Sequence, residues 1–284
     1  MIDTHCHLSH EAFENDIDEV VVRAVATGVR AALVLTEERA DIPLVLELKT
    51  RYPEWINVGF GIHPLQMRKD GSHLSRSVTM KVSELAFGPF GLEFLQDMDG
   101  VRDTIIKNAK QLVAIGEVGL DFTPAICPNL DSHEIQRSVF TSQIRLAREL
   151  NLPLNVHSRS ASKPTIELLK TEGATRVQMH AFDGRPSQAM VGVAAGYFFS
   201  IPPCVYRSKQ KQELVKAVPL TNLLLETDSP VLGVSAEQRN EPAEVIKSCE
   251  YIAQAKGVDV LTVRQITTEN ALKLYPNMIL KQYH

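Results

Sequence analysis

Residues Leu112-Val113-Ala114-Ile115-Gly116-Glu117-Val118-Gly119-Leu120-Asp121-Phe122 form a nearly continuous apolar run, and a segment of helical period follows at His133–Leu150. A run that is apolar at almost every position is how a parallel strand reads when both of its faces are covered. In the second segment Ile135, Val139, Gln143, Leu146 and Leu150 recur at spacings of three and four, with Phe140, Ile144 and Ala147 alongside. That is the stripe of an amphipathic helix. Asp131, followed three residues later by Glu134, has the spacing of a capping box that would open this helix. Strand then helix makes one βα unit.

The same alternation runs outward in both directions. Short apolar runs occur at Met1–His7, Ala31–Thr36, Ile56–His63, Leu112–Phe122, Pro153–His157, Val177–Phe182, Tyr197–Ile201 and Leu223–Asp228. Eight such runs separated by helical stretches predict parallel βα units. These build either an open doubly wound sheet or a closed barrel. The chain has no G-x-G-x-x-G and no G-x-x-x-x-G-K-[ST] element, which weakens the nucleotide-binding open sheet. It also shows no second compositional region. The expected architecture is therefore one (β/α)8 TIM-type barrel over residues 1–284, a length that suits a fold of about 250 residues. Residues 64–110 are the least regular part. There Phe87-Gly88-Pro89-Phe90-Gly91 interrupts a helical pattern, and the reading is a helix, a loop insertion and a second helix.

Hydrophobic residues make up 44% of the chain and charged ones 23%, a globular balance rather than that of a disordered chain. The formal net charge of −4 argues against a basic surface for polyanions, so a polyanionic partner would need a local patch or bound metal ions. Four cysteines without a C-x-x-C pair suggest a reducing compartment, hence an intracellular protein of the cytoplasm or nucleus. No apolar run reaches 18 residues, and Met1-Ile2-Asp3-Thr4-His5-Cys6-His7 lacks the features of a signal peptide. Neither a membrane span nor a leader is expected.

Polar residues punctuate the apolar runs near their carboxyl ends. His5 and His7 are two apart, so on a strand both point one way and Cys6 points the other. Glu117 lies on the fourth run, His157 ends the fifth, His180 follows Met179 in the sixth, and Asp228 ends the eighth. In a barrel these ends open on one face, where barrel enzymes hold their sites. Four imidazoles and two carboxylates there suit two divalent ions. One takes His5, His7, Glu117 and Asp228; the other takes Glu117, His157 and His180, with Glu117 bridging. Such ligands favour Zn²⁺, Mn²⁺, Co²⁺ or Ni²⁺ over Mg²⁺.

These segments also carry a resemblance. Asp3-Thr4-His5-Cys6-His7, Gly61-Ile62-His63-Pro64, Gly116-Glu117-Val118-Gly119-Leu120-Asp121, Asn155-Val156-His157-Ser158-Arg159, His180-Ala181-Phe182-Asp183-Gly184 and Glu226-Thr227-Asp228-Ser229-Pro230 resemble the signature segments of the TatD family of metal-dependent deoxyribonucleases. The likeness runs from the first strand to Asn270-Ala271. It is greatest to the third animal subtype of that family, through Lys163-Pro164-Thr165, Arg185-Pro186-Ser187, Tyr197–Pro203 and Arg239-Asn240-Glu241-Pro242. The resemblance implies an amidohydrolase-like barrel, a metal role for the six positions above, and hydrolysis of DNA, typically at 3′ ends. It also brings Mg²⁺ back among the candidate ions, because the family is often described as Mg²⁺-dependent. Residues 64–110 are longer than the subtype would lead one to expect.

Two adjacent ions activate water and stabilise the oxygens of a phosphodiester displacement. Glu117 and Asp228 are the catalytic carboxylates in this reading, with Asp228 accepting the proton. His63 is expected to contact the phosphate or to protonate the leaving oxygen. Asp3, Asp121 and Glu226 are candidates to orient ligating imidazoles. Arg159, Arg207 and Arg239 are candidate phosphate contacts. The basic stretch Arg207-Ser208-Lys209-Gln210-Lys211 is read as a solvated face. His10, His73, His133 and His284 are expected at the surface, and Cys6 packed outside the barrel. DNA is the expected partner, and a monomer the expected state. The alternative is a D-aminoacyl-tRNA deacylase or another metal-dependent ester or amide hydrolase. Against the amidase version, no lysine lies between Leu112 and Phe122 to become a carbamylated bridge.

Overall fold

A computed structural model of the chain describes residues 1–67, 73–74, 100–127 and 129–282. Among these, eight parallel strands follow one another around a barrel in chain order. They are β1 (Ile2–Cys6), β2 (Ala31–Leu35), β3 (Ile56–Phe60), β4 (Leu112–Gly119), β5 (Leu154–His157), β6 (Val177–Met179), β7 (Phe198–Ile201) and β8 (Leu223–Leu225). The helices are α1 (Ile17–Ala26), α2 (Asp41–Arg51), a helical segment over 100–108, α3 (Leu130–Glu149), α4 (Ser162–Thr171), α5 (Pro186–Ala194), α6 (Lys209–Ala217), α7 (Val245–Lys256) and α8 (Val260–Leu274).

Strand alternation sorts the side chains into two cores. In β2, Ala32 and Val34 face outward, into a cluster with Val20 of α1, Val45 of α2 and Phe140 of α3. Ala31, Leu33 and Leu35 face inward and meet Ile2, Val113 and Leu224. Leu274, Tyr275 and Met278, from the end of α8 onward, close this inner cluster from below. The seam between β8 and β1 is tied by the segments that carry candidate ligands. The Asp228 amide donates to the His5 carbonyl at 2.9 Å, and the His7 amide to the Ser229 carbonyl at 2.8 Å. The Thr4 hydroxyl donates to the Leu225 carbonyl at 2.9 Å.

Several strands stop short of the apolar runs. Beyond Met179 and Leu225 the backbone turns out of the ladder, with φ of +37° at Ala181 and +56° at Asp228, values no strand holds. Beyond Phe60 the Gly61 and Ile62 amides bond to the side chains of Thr36 and Gln143. His63, His180 and Asp228 therefore sit on loops at the barrel mouth. Helix α3 begins earlier than the capping-box reading. Asn129 is its cap, its side chain accepting the Ser132 amide at 2.9 Å, so residue 131 is already helical. The side chain of Asp131 lies outside the described residues. The 64–110 stretch opens not with a helix but with an antiparallel ribbon, Gln66–Met67 against His73–Leu74. Its later helix is present over 100–108. Residues 68–72 and 75–99, including the Phe87-Gly88-Pro89-Phe90-Gly91 interruption, lie outside the described residues.

Candidate metal centre

At the mouth, four donor atoms face one another. His5 Nε2 lies 3.0 Å from His7 Nε2, 3.3 Å from Glu117 Oε2 and 3.4 Å from Asp228 Oδ1. His7 Nε2 is 3.3 and 3.4 Å from the same two oxygens. A divalent ion about 2.0–2.1 Å from four tetrahedral donors would hold them about 3.3–3.4 Å apart. Two neutral-capable imidazoles and two carboxylates at this spacing fit such an ion. The pairing of His5 with His7 follows from strand alternation, and Cys6 between them faces the outer core. Burial pushes the Cys6 thiol up, away from nucleophilic use.

The other carboxylate oxygen of Glu117 faces a second set. Glu117 Oε1 lies 2.8 Å from His157 Nδ1, 3.3 Å from His180 Nε2 and 3.6 Å from His63 Nε2. His63 Nε2 is itself 3.3 Å from His157 Nδ1. Among the described residues, three sets could hold a metal: His5, His7 and Glu117; His5, His180 and Asp228; and His63, Glu117 and His157. His63 was expected at the phosphate, and its ring stands among the second set of donors. Gly119 keeps the second set in place. A Cβ there, at φ +147°, would come 2.0 Å from the His157 carbonyl oxygen and displace that strand end.

The far side of each ring is held by the protein. His157 Nε2 meets Asp121 Oδ2 at 2.9 Å, and His180 Nδ1 meets Glu226 Oε2 at 3.3 Å. His7 Nδ1 faces the Leu35 carbonyl at 3.3 Å. His5 Nδ1 meets Asn155 Oδ1 at 2.8 Å, a contact the sequence reading missed. Asn155 directly precedes Val156 and His157, and inward-facing amides on a strand were the available signal. Asp3 does not touch an imidazole ring. Its carboxylate accepts the Thr227 amide at 2.9 Å and the Thr227 hydroxyl at 2.5 Å, because its strand lies at the seam.

Opposed effects set the charges. Burial pushes the Glu117 carboxyl up, but the imidazoles of His180, His63, His5 and His157 outweigh it and hold it well below the carboxylate range. Burial likewise opposes ionisation of Asp228, and His180, His5 and His7 hold it low. Asp121 is held low against its burial by hydrogen bonds from His157 and Thr123. Burial disfavours a charged His5, yet Glu117 and Asp228 raise it to about 10. His7, His157 and His180 are raised too, whereas burial leaves His63 lowered. Asp3 is pushed up to about 7 by burial, against the hydrogen bonds from Thr227.

The donors open into a cleft of about 570 Å³. Arg159 lines it, with its side chain 54% exposed and its guanidinium 4.0 Å from Asp121. The other two candidate arginines are engaged elsewhere. Arg207 donates to the Gly233 carbonyl at 3.2 Å. Arg239 holds Asp16 at 2.6 and 2.7 Å and covers the Phe13 ring, tying the loop after β8 to the loop after β1. Within the basic stretch, Lys211 is buried rather than solvated. Its ammonium donates to the Ala181 carbonyl at 2.8 Å, in the turn after His180. His10 is exposed, and His133 is half-buried, stacked on Phe122 at 3.7 Å. The side chains of His73 and His284 lie outside the described residues.

A family model described as TatD related DNase matches residues 2–276. The chain is 48% identical to a human protein named deoxyribonuclease TATDN3, over 98% of this chain and 95% of that one. It is 32% identical to the Bacillus subtilis protein YabD, named an uncharacterized metal-dependent hydrolase, over 97% of this chain and 98% of that one. Among solved structures, the TatD homologue YJJV of Escherichia coli superposes with a TM-score of 0.80 at 24% identity, covering 97% of this chain and 98% of that one. Among the described residues, no helix is long and apolar enough to cross a membrane.

Proposed function

Since the chain belongs to the TatD related DNase family, we propose that it is a metal-dependent deoxyribonuclease that uses two divalent ions and trims DNA from the 3′ end. One observation carries the two-ion reading. The two oxygens of Glu117 face different donor sets, Oε2 toward His5 and His7 and Oε1 toward His157 and His180. When bound, two such ions supply Lewis acidity and an activated water for an in-line displacement. Their charge also offsets the net −4 of the chain where a phosphate must enter.

The remaining roles belong to side chains. Asp228 lines the cleft and places Oδ1 with the first set, so we assign it to take the proton from the attacking water. Leu65 holds His63 through Nδ1, which either donates to the Leu65 carbonyl at 2.9 Å or accepts from the Leu65 amide at 3.1 Å, according to the tautomer. His63 turns Nε2 toward the second set, and we assign it to contact the phosphate or to protonate the leaving oxygen. Arg159, at the mouth, offers a planar fork to phosphate oxygens. Asp121 and Glu226 orient His157 and His180.

The test is hydrolysis of labelled single-stranded DNA by metal-stripped protein, with Mg²⁺, Mn²⁺ or Zn²⁺ restored singly and Glu117→Ala in parallel. Cleavage restored by metal is expected, with loss of about 10³-fold or more in the variant, as for other charge-stabilising groups. The product ladder reads the polarity. If protein that binds metal cleaves no DNA with any ion, the nuclease assignment is overturned and ester hydrolysis, as in aminoacyl-tRNA deacylation, takes its place.

A further inference from the structure

Beneath the two donor sets runs a path of buried hydrogen bonds, and Tyr275 stands at its centre. Tyr275 follows α8, is fully buried, and reaches into the barrel from below. Its hydroxyl is 3.2 Å from Asn155 Nδ2 and 2.8 Å from Gln178 Oε1. Asn155 Oδ1 meets His5 Nδ1, of the first set. On the other side Gln178 Nε2 donates to Ser200 Oγ at 2.8 Å, and Ser200 donates to Glu226 Oε2 at 2.6 Å. Glu226 meets His180 Nδ1, of the second set. The two end rings, His5 and His180, stack with centroids 3.6 Å apart.

The proton positions follow from the partners. Both hydrogens of the Asn155 amide are committed, one to the Thr4 carbonyl at 3.0 Å and one to Tyr275, so Oδ1 accepts from His5 Nδ1–H. That leaves Nε2 as the ring atom turned to the first set. Tyr275 accepts from Asn155, so its own hydrogen goes to Gln178 Oε1. The amide end of Gln178 then faces Ser200 and lies 3.4 Å from Glu226 Oε2. Glu226 accepts from Ser200, from the Ala181 amide at 2.8 Å and from His180 Nδ1–H. Between an N–H at Asn155 and a C=O at Gln178, only a group that both accepts and donates completes the path.

We propose that Tyr275 is a positioning residue for the metal centre, acting through Gln178. Its hydroxyl donates to Gln178 Oε1 while the Thr4 carbonyl, 3.3 Å from Nε2, accepts at the other end, and the two together keep the amide turned so that N–H, and not C=O, faces Ser200 and Glu226, which in turn hold His180 with Nε2 toward the second set. The proposal rests on the metal reading of the site. Without the hydroxyl, Gln178 Oε1 has no donor where it lies. Turning the amide over would set its carbonyl against Glu226 and draw the Ser200 hydrogen away from the carboxylate. Asn155 also loses the acceptor of one N–H, but its other N–H stays on the Thr4 carbonyl, so Oδ1 still faces His5 and the larger damage falls on the His180 side.

The experiment titrates Zn²⁺ into metal-free protein against a chromophoric chelator, for the parent chain, Tyr275→Phe and Tyr275→Phe/Gln178→Leu. Phe keeps the ring volume, and thermal melts confirm that each variant folds. The expected result is about tenfold weaker binding of one of the two ions in Tyr275→Phe, in line with the loss of other groups behind a ligating ring. The double variant removes the stranded carbonyl and leaves Ser200 to Glu226, so it recovers most of that loss. Unchanged affinity for both ions in Tyr275→Phe, or a double variant that folds but binds as weakly as the single one, overturns the proposal. A parent chain that binds no ion overturns the metal reading and this proposal together. A parent that binds two ions but cleaves no DNA leaves the affinity comparison decisive.

Discussion

At neutral pH the metal-free centre holds protons where an ion would sit. His5 is raised to about 10 by Glu117 and Asp228 against its burial, and His7, His157 and His180 are raised as well. A ligating imidazole must give up that proton, so uptake of Zn²⁺ at pH 7 is expected to release protons and to tighten as pH rises. A pH dye in weakly buffered solution measures the release, and uptake with no proton released would show that these rings are already neutral before the ion binds. The same shifts fix how the metal-free protein responds to pH. The raised His5 contributes stability in full below its unfolded value of about 6.5, and that is lost as pH rises through about 10. Glu117 and Asp228, held low, contribute above the ordinary carboxylate range and lose that contribution in acid. The ligand candidates were legible because His5 and His7 share a strand face and the others sit at run ends. Asn155 was signalled only by sharing the strand face of His157, two residues on. Tyr275 was not legible, because it follows the last helix and nothing in its neighbours shows that it turns into the barrel.

At the scale of elements, α3 shows what a pattern can and cannot say. Its stripe was plain, and Ile135, Val139, Phe140, Ile144 and Leu146 are all buried. Its start was not, because a capping box and a single Asn cap two residues earlier offer similar chemistry. Replacing Asn129 by Ala leaves the Ser132 amide without its acceptor and should cost about 1 kcal/mol. For a chain of this size that lowers the melting temperature by about 2–4 °C, read by calorimetry. Strand positions were legible to within a few residues. The excess came at the mouth, where Ala181 and Asp228 adopt positive φ. Apolar runs do not reveal where a backbone leaves its ladder. Charged loop residues were the least legible. Arg239 and Arg159 look alike in sequence, yet one is bound to Asp16 and the other faces the cleft.

At the scale of the whole molecule, the barrel was legible from the order of its units alone, since eight βα alternations without a nucleotide loop leave few alternatives. What order does not give is how the ring closes. The donors of the first set come from β1, β4 and the loop after β8, so a bound ion would clasp the seam. Metal at about 100 times its dissociation constant should add about 2.7 kcal/mol to the folded state. Chelation is therefore expected to lower the melting temperature, and Glu117→Ala to abolish the difference. Equal melting with and without ions would show that none binds the folded barrel.

The seam also sets a sequence of events in time. Asp3 and Thr227, joined across it, are 224 residues apart along the chain. On a ribosome, Glu117, His157 and His180 have all emerged before Asp228 is made. A nascent chain can therefore gather the second set of donors while the first still lacks its last carboxylate. The complete pair of sites exists only once the ring has shut, and paired metal occupancy would report a finished barrel.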